Sequence, residues 1–266
     1  MNNKNNKKRN KKSLEKFIDE ELDIYFDKKK VSEIKLYNEC YQYITPKEKC
    51  IFESKYTKPR SISQKKYMSI LNDSSQKIVI ATGPAGTGKT LLATEAGIRN
   101  FIEAKCEKLI FVRPAVTTDE EIGFLPGTLE DKLAPFIRPL YDVLYNFITP
   151  QEVTQLLEEK IIEISPLAYM RGRTFKNCWI VADEMQNSTI SQMKMMLTRL
   201  GEGSRLIITG DLEQNDRHGE INGLEDFLYR FNDKKSSSPL ISLIEFESKD
   251  IERSQVVKDV LEIYNS

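Results

Sequence analysis

The sequence predicts an α/β domain in which a mostly parallel sheet is flanked by helices, with a small helical appendage ahead of it. Three observations point there. Short unbroken apolar runs recur along the chain, helix-like segments alternate with them, and a glycine-rich loop joins the first run to the first such segment. Unbroken runs of six or seven residues suit strands buried on both faces of a parallel sheet, and regular alternation with helices suits a three-layer arrangement around one core.

The runs are "KIVIAT" (77–82), "KLIFVR" (108–113), "KIIEIS" (160–165), "CWIVAD" (178–183), "RLIITG" (205–210) and "LISLIEF" (240–246). The intervening helix-like segments are "TLLATEAGIRNFIEA", "LAPFIRPLYDVLYNFI", "TISQMKMMLTRLG" and "GLEDFLYRF". Ahead of them, residues 1–12 carry six Lys or Arg, no acid and several asparagines, a composition that cannot form a core. They are expected to be a disordered basic tail, either simply solvated or touching nucleic-acid phosphates. Residues 13–58 mix charges with apolar positions spaced for an amphipathic helix, and "TKPRSIS" (57–63) marks the boundary with the main domain, residues 60–266.

Composition bounds the function classes. The 266 residues hold 40 Lys+Arg against 40 Asp+Glu, so any basic surface has to be local. No stretch approaches the ~18 apolar residues of a membrane span, and the basic start has no apolar segment behind it; a cytoplasmic location without membrane contact is expected. Cys40, Cys50, Cys106 and Cys178 lie far apart and His218 is the chain's one histidine, so neither zinc spacing nor a disulfide framework is visible.

Chemistry concentrates in three places. "GPAGTGKT" comprises Gly83, Pro84, Ala85, Gly86, Thr87, Gly88, Lys89 and Thr90 and matches the phosphate-loop pattern. Its glycines let backbone N–H groups wrap phosphates, Lys89 reaches the β and γ oxygens, and the Thr90 hydroxyl ligates Mg²⁺ at a helix N-terminus. In "CWIVADEMQN", Asp183 ends an apolar strand where ligands gather in such sheets, and it suits holding Mg²⁺ through water. Glu184 beside it can polarise a water for in-line attack, which hydrolysis needs and simple transfer to a metabolite does not. In "IITGDLEQND", Thr209, Asp211 and Gln214 either form a plain turn or sense the γ-phosphate.

The stretches "VRPAVTTDEEIGFLPGTLEDKLAPFIRPLYDVL", "ISPLAYMRGRTFKNCWIVADEMQN" and "LIITGDLEQNDR" together resemble the PhoH-like family of P-loop ATPases, over about residues 60–264. The resemblance implies a RecA-like core related to the nucleotide-binding half of superfamily 1 helicases, ATP with Mg²⁺, and action on RNA or single-stranded DNA. It also implies that Gln64 reads the adenine edge, that Arg113 and the loop after it contact a nucleic-acid backbone, and that Arg253 is the family's late arginine. Arg171 and Arg173 suit phosphate on a polymer or a neighbouring subunit, with surface solubility as the alternative. Residues 1–58 are too short and too helical for the nuclease domain that some members carry, so no nuclease activity is expected. A second RecA-like domain does not fit in this length. An arginine such as Arg253 or Arg138 is therefore expected to come from a neighbouring copy in a homo-oligomer, a hexameric ring being the form the resemblance suggests.

These features favour a nucleic-acid-directed ATPase, helicase-like in kind. An ATP-controlled scaffold with slow hydrolysis is the alternative, and a small-molecule kinase fits the phosphate loop alone.

Overall fold

The computed structural model describes residues 53–114, 138–214, 221–233, 238–252 and 256. The expected tail, nearly all of the expected appendage, the loop after Arg113, His218, Cys40, Cys50 and Arg253 lie outside the described residues.

Six strands form one sheet: β1 (Ile78–Thr82), β2 (Lys108–Arg113), β3 (Ile162–Pro166), β4 (Cys178–Ala182), β5 (Arg205–Gly210) and β6 (Ile241–Glu245). Their order is β3-β2-β4-β5-β1-β6 and every pairing is parallel. Each of the six apolar runs is therefore a strand. Alternate residues face opposite layers, so the sheet divides two cores. Val79, Ala81, Leu109, Phe111, Trp179, Val181 and Ile207 pack on one side, while Ile80, Ile110, Val112, Ile180, Ala182, Leu206 and Ile208 pack on the other.

Helices α1 (Ile62–Asn72), α2 (Lys89–Ile102) and α3 (Pro150–Glu158) cover the first face, together with a helical stretch at 138–145. Helices α4 (Ile190–Leu197) and α5 (Gly223–Asp233) cover the second, through Met193, Met196 and Leu224. Local chemistry sets several helix starts. Ser61 caps α1 by accepting from the Gln64 amide. Capping boxes open α3 (Thr149 with Glu152, and Pro150 in the first turn) and α4 (Thr189 with Gln192). Neither α1 nor α3 stands among the helix-like segments expected above, and "SIS" at the supposed boundary is the start of α1.

α2 lies close against the sheet because Gly97 faces Trp179. The buried indole N–H donates to the Ala93 carbonyl at 3.1 Å, and a Cβ on Gly97 would sit 2.6 Å from Trp179 Cδ1. On the ring's other contact, the Arg205 guanidinium lies 4.7 Å from the Trp179 centroid and donates to the carbonyls of Ile70, Leu71 and Gln76. Burial pulls the Arg205 pKa down to about 10. The result is that the C-terminal end of α1 is tied to β5, which fixes the end of α1 that does not carry Gln64. Because all strands are parallel, the C-terminal ends of β1, β4 and β5 open on one edge, with β5 between the other two.

Candidate functional site

The phosphate loop follows β1 directly. Gly83, Gly86 and Gly88 adopt φ of 126°, 82° and 84°, a region that side chains other than glycine rarely enter. At Gly83 there is a second reason for glycine, since a Cβ would lie 2.2 Å from the Phe246 carbonyl oxygen. The Gly83 amide donates to Gly210 O at 3.2 Å, tying the loop to the end of β5. Lys89 is 8% exposed, and its ammonium donates to Gly83 O (2.6 Å) and Pro84 O (2.8 Å) within the loop. Burial pushes its pKa down, and Asp211, Glu184 and Asp183 push back up. The Thr87 hydroxyl donates to Pro84 O at 2.9 Å, and Ala85 N donates to the Asp211 carboxylate at 3.2 Å.

One carboxylate oxygen ties the ends of β4 and β5 to the start of α2. Asp183 Oδ1 accepts from the Thr90 hydroxyl (2.7 Å), at the start of α2, and from the Thr209 hydroxyl on β5. Thr209 is fully buried, so its hydroxyl has a fixed place between β1 and β4. Glu184 then takes a left-handed conformation, φ 54° and ψ 38°, a conformation that costs a non-glycine residue roughly 1–2 kcal/mol. Its carboxylate lies 3.7 Å from Arg113 Nη2, at the end of β2, and accepts from the Gln186 side chain. The strain is held by the turn over Met185–Asn187, where Asn187 N donates back to Glu184 O at 3.0 Å.

Gln64 lies beside the loop. Its Nε2 donates to Thr87 O at 3.1 Å and its Oε1 accepts from Arg60 N at 2.7 Å, so both ends of the amide are engaged. The segment after β6 meets the same loop, with Glu252 N donating to Gly86 O at 3.0 Å and the Glu252 carboxylate pairing with Arg60 at 2.8 Å. Gln214 is exposed, and its amide closes a turn on Asp211 O at 3.1 Å.

The arginines separate. Arg113 stands at the site, Arg171 is exposed just after the Leu167–Met170 turn, and Arg138 opens the helical stretch at 138–145 with its side chain exposed. Arg173 forms a two-pronged pair with Glu163 on β3, its Nη2 lying 2.7 Å from Glu163 Oε2, and it stacks over Phe175 at 4.7 Å. That fork holds Glu163 well below the usual carboxylate range. A residue whose role was not read from the sequence is Gln186, 1% exposed, which touches both Glu184 and the segment after β5.

A cavity of about 330 Å³ continues from Thr90, Asp183 and Glu184 over an apolar floor that includes Phe111, Leu140 and Ile164. Among the described residues no group of three or more His, Cys, Asp or Glu is placed to hold a metal, and no helix is long and apolar enough to cross a membrane.

A glycine-rich phosphate loop between β1 and α2, with Asp183 at the end of β4 reaching Thr90, defines a P-loop NTPase domain built on an all-parallel sheet. The PhoH-like protein family matches residues 56–265, and the chain belongs to that family. It is 41% identical over 210 residues to a PhoH-like protein of Mycobacterium tuberculosis, covering 79% of this chain and 58% of that one. It is 47% identical over 157 residues to a PhoH-like protein of Synechocystis, covering 59% of this chain and 47% of that one. The chain thus spans about half the length of these relatives. Among solved structures, the SWI2/SNF2 ATPase core of Sulfolobus solfataricus in complex with dsDNA is similar at a TM-score of 0.42 and 17% identity, covering 74% of this chain and 47% of that one.

Proposed function

We propose that this chain is an oligomeric, Mg²⁺-dependent ATPase that acts on RNA or single-stranded DNA, with helicase-like activity. The observation that carries the reading is the meeting of Thr90 and Thr209 on Asp183 beside the phosphate loop, with Glu184 lining the same cavity as Thr90 and Asp183.

The residues fit Mg²⁺ and a triphosphate. A hydroxyl and a carboxylate 2.7 Å apart are hard oxygen donors, and a P-loop magnesium needs few protein ligands because phosphates supply the rest. Thr90 and Asp183 would hold the ion, which supplies neutralisation of charge on the β and γ oxygens. Lys89 would exchange the carbonyls of Gly83 and Pro84 for phosphate oxygens, and the backbone amides of the loop would add further donors to the same anion. Glu184 accepts a proton from the attacking water and orients it. Asp211 braces the loop through Ala85 N, so the segment 211–214 moves with the state of the site. Arg113, paired to Glu184, would link that state to a nucleic-acid backbone, and the exposed Arg171 adds a phosphate contact. Arg173, engaged with Glu163, is left as a brace of β3. A neighbouring copy supplies the arginine that completes the γ-phosphate site, Arg253 or Arg138 being the candidates.

The test is ATP turnover by the parent and by Glu184→Gln and Lys89→Ala, with and without RNA over a salt series, beside the mass in solution with ATP. Turnover in the parent, its stimulation by RNA weakening with salt, and an assembly larger than one chain are expected. Parent-level turnover in Glu184→Gln would remove the base. A monomer under every condition would remove the neighbour's arginine, and turnover indifferent to RNA and DNA would favour an ATP-controlled scaffold.

A further inference from the structure

We propose that Gln186 is a positioning residue for hydrolysis, which aims the Glu184 carboxylate and fastens it to the segment 211–214. The proposal rests on the reading of Glu184 as the base. Gln186 lies in the short turn Met185–Asn187, two residues beyond Glu184, and its side chain is 1% exposed. Such a buried amide needs partners at both ends, and it has them. Its Oε1 accepts from the buried Asp211 N at 3.1 Å. Its Nε2 donates to the Glu184 carboxylate and to Gln214 O, the latter at 3.3 Å. The orientation of the amide follows from these neighbours. Asp211 N–H can only donate, while the carboxylate and the Gln214 carbonyl can only accept, so a flipped amide would lose all three contacts.

The space for this side chain is also specified. A Cβ at Gly210, the last residue of β5, would lie 2.8 Å from Gln186 Oε1, so a glycine there leaves the amide its place. The contacts then run without a break from Glu184 through Gln186 to Asp211, and from the Asp211 carboxylate to Ala85 N in the phosphate loop. Glu184 sits in a strained left-handed conformation, and a carboxylate on a strained residue is free to turn about its own side-chain torsions unless something holds it. Gln186 does so with a donor whose own position is set by the backbone of 211–214. A shift of the phosphate loop at Ala85 therefore reaches the base through three hydrogen bonds and the residues Asp211 and Gln186.

A space-filling role and a positioning role differ in what they spoil. Gln186→Met keeps the volume and removes all three hydrogen bonds, and Gln186→Glu keeps the acceptor for Asp211 N while removing the donor to Glu184. The experiment measures kcat for ATP and the Kd of a fluorescent ATP analogue in the full chain for both variants, alone and combined with Glu184→Gln. Expected for each single variant is a kcat lower by about tenfold or more with Kd held within about threefold, a loss confined to the transition state. In the Glu184→Gln background the same substitutions should change turnover by less than about twofold, because a residue acting through Glu184 has nothing left to position. Should Gln186→Met fail to bind the analogue through misfolding, Gln186→Glu carries the same comparison. A kcat within about twofold of the parent in the variant that binds would overturn the proposal, as would the full loss repeated on top of Glu184→Gln. Parent-level turnover in Glu184→Gln alone would overturn the base and the proposal together, and so marks a different failure.

Discussion

Replacing Thr209 by valine tests whether the meeting at Asp183 serves the metal or only the sheet. The substitution keeps the shape of the side chain and removes one hydroxyl, which donates to Asp183 Oδ1 from a fully buried position on β5. A hydrogen bond to a charged group contributes about 1.5–3 kcal/mol. Asp183 is half-buried, so water can replace part of that, and the lower end applies. With Thr90 engaged in holding magnesium, Thr209 would be the hydroxyl that still orients the Asp183 carboxylate. A loss of about 1.4 kcal/mol is then about tenfold in affinity for the ion. The assay is ATP turnover titrated with Mg²⁺ at saturating ATP, beside a thermal melt without nucleotide. A Mg²⁺ midpoint raised about tenfold is expected. A lowered melting temperature with a Mg²⁺ curve that superimposes on the parent's would refute the reasoning, by showing the bond to be a strut between β4 and β5.

Two further outcomes concern the frame of the site. Gly97→Ala would place a Cβ 2.6 Å from Trp179 Cδ1, against a ring held by the Ala93 carbonyl and by Arg205. Overpacking of about 1–3 kcal/mol should outweigh the helix propensity that alanine adds, about 1 kcal/mol, so a melt should shift downward by a few degrees, and an unchanged or higher midpoint would contradict the packing argument. Glu163 is held below its ordinary value of 4.5 by the Arg173 fork. A depressed carboxylate contributes stability that is fully present above that ordinary value and is lost as pH falls through its lower folded value. Urea midpoints of the parent and Glu163→Gln should differ at pH 7 and converge as pH falls through the lowered folded value, and a gap independent of pH would sink the assignment.

The sheet was legible because burial on two faces leaves a mark that needs no partner to read: β1, β2, β4 and β5 are nearly continuous apolar runs, while the edge strands β3 and β6 carry polar residues among theirs. The phosphate loop was legible because anion binding by backbone amides demands glycines at a fixed spacing. Helices α1 and α3 were passed over although their caps stand in the sequence, in Ser61 with Gln64 and in Thr149 with Pro150 and Glu152. "KPRS" reads as punctuation and α3 is only nine residues long, so the hydrophobic period was too short to stand out against it. Gln186 was in view within "CWIVADEMQN" but carried no signal of its role. Its partners are the Glu184 carboxylate and main-chain groups of residues 211 and 214, and a main-chain partner leaves no trace in residue type.

Arg173 shows why the site's edge was harder to read than its centre. Two arginines in "YMRGRTF" suit a phosphate equally well, and the one clue that separates them lies ten residues earlier, in "KIIEIS". A glutamate interrupting a strand otherwise apolar needs a partner if it is to be partly buried. The structure supplies Arg173, two prongs and a stacked Phe175, and leaves Arg171 exposed. An arginine so engaged would have to break a bidentate pair before meeting any phosphate, a cost that Arg171 does not bear. Of the two, then, Arg171→Ala should reduce RNA stimulation of turnover and flatten its salt dependence by about one phosphate contact, while Arg173→Ala should act on stability first. Equal effects of both on RNA stimulation, with no loss of stability in Arg173→Ala, would mean that the fork opens when nucleic acid arrives.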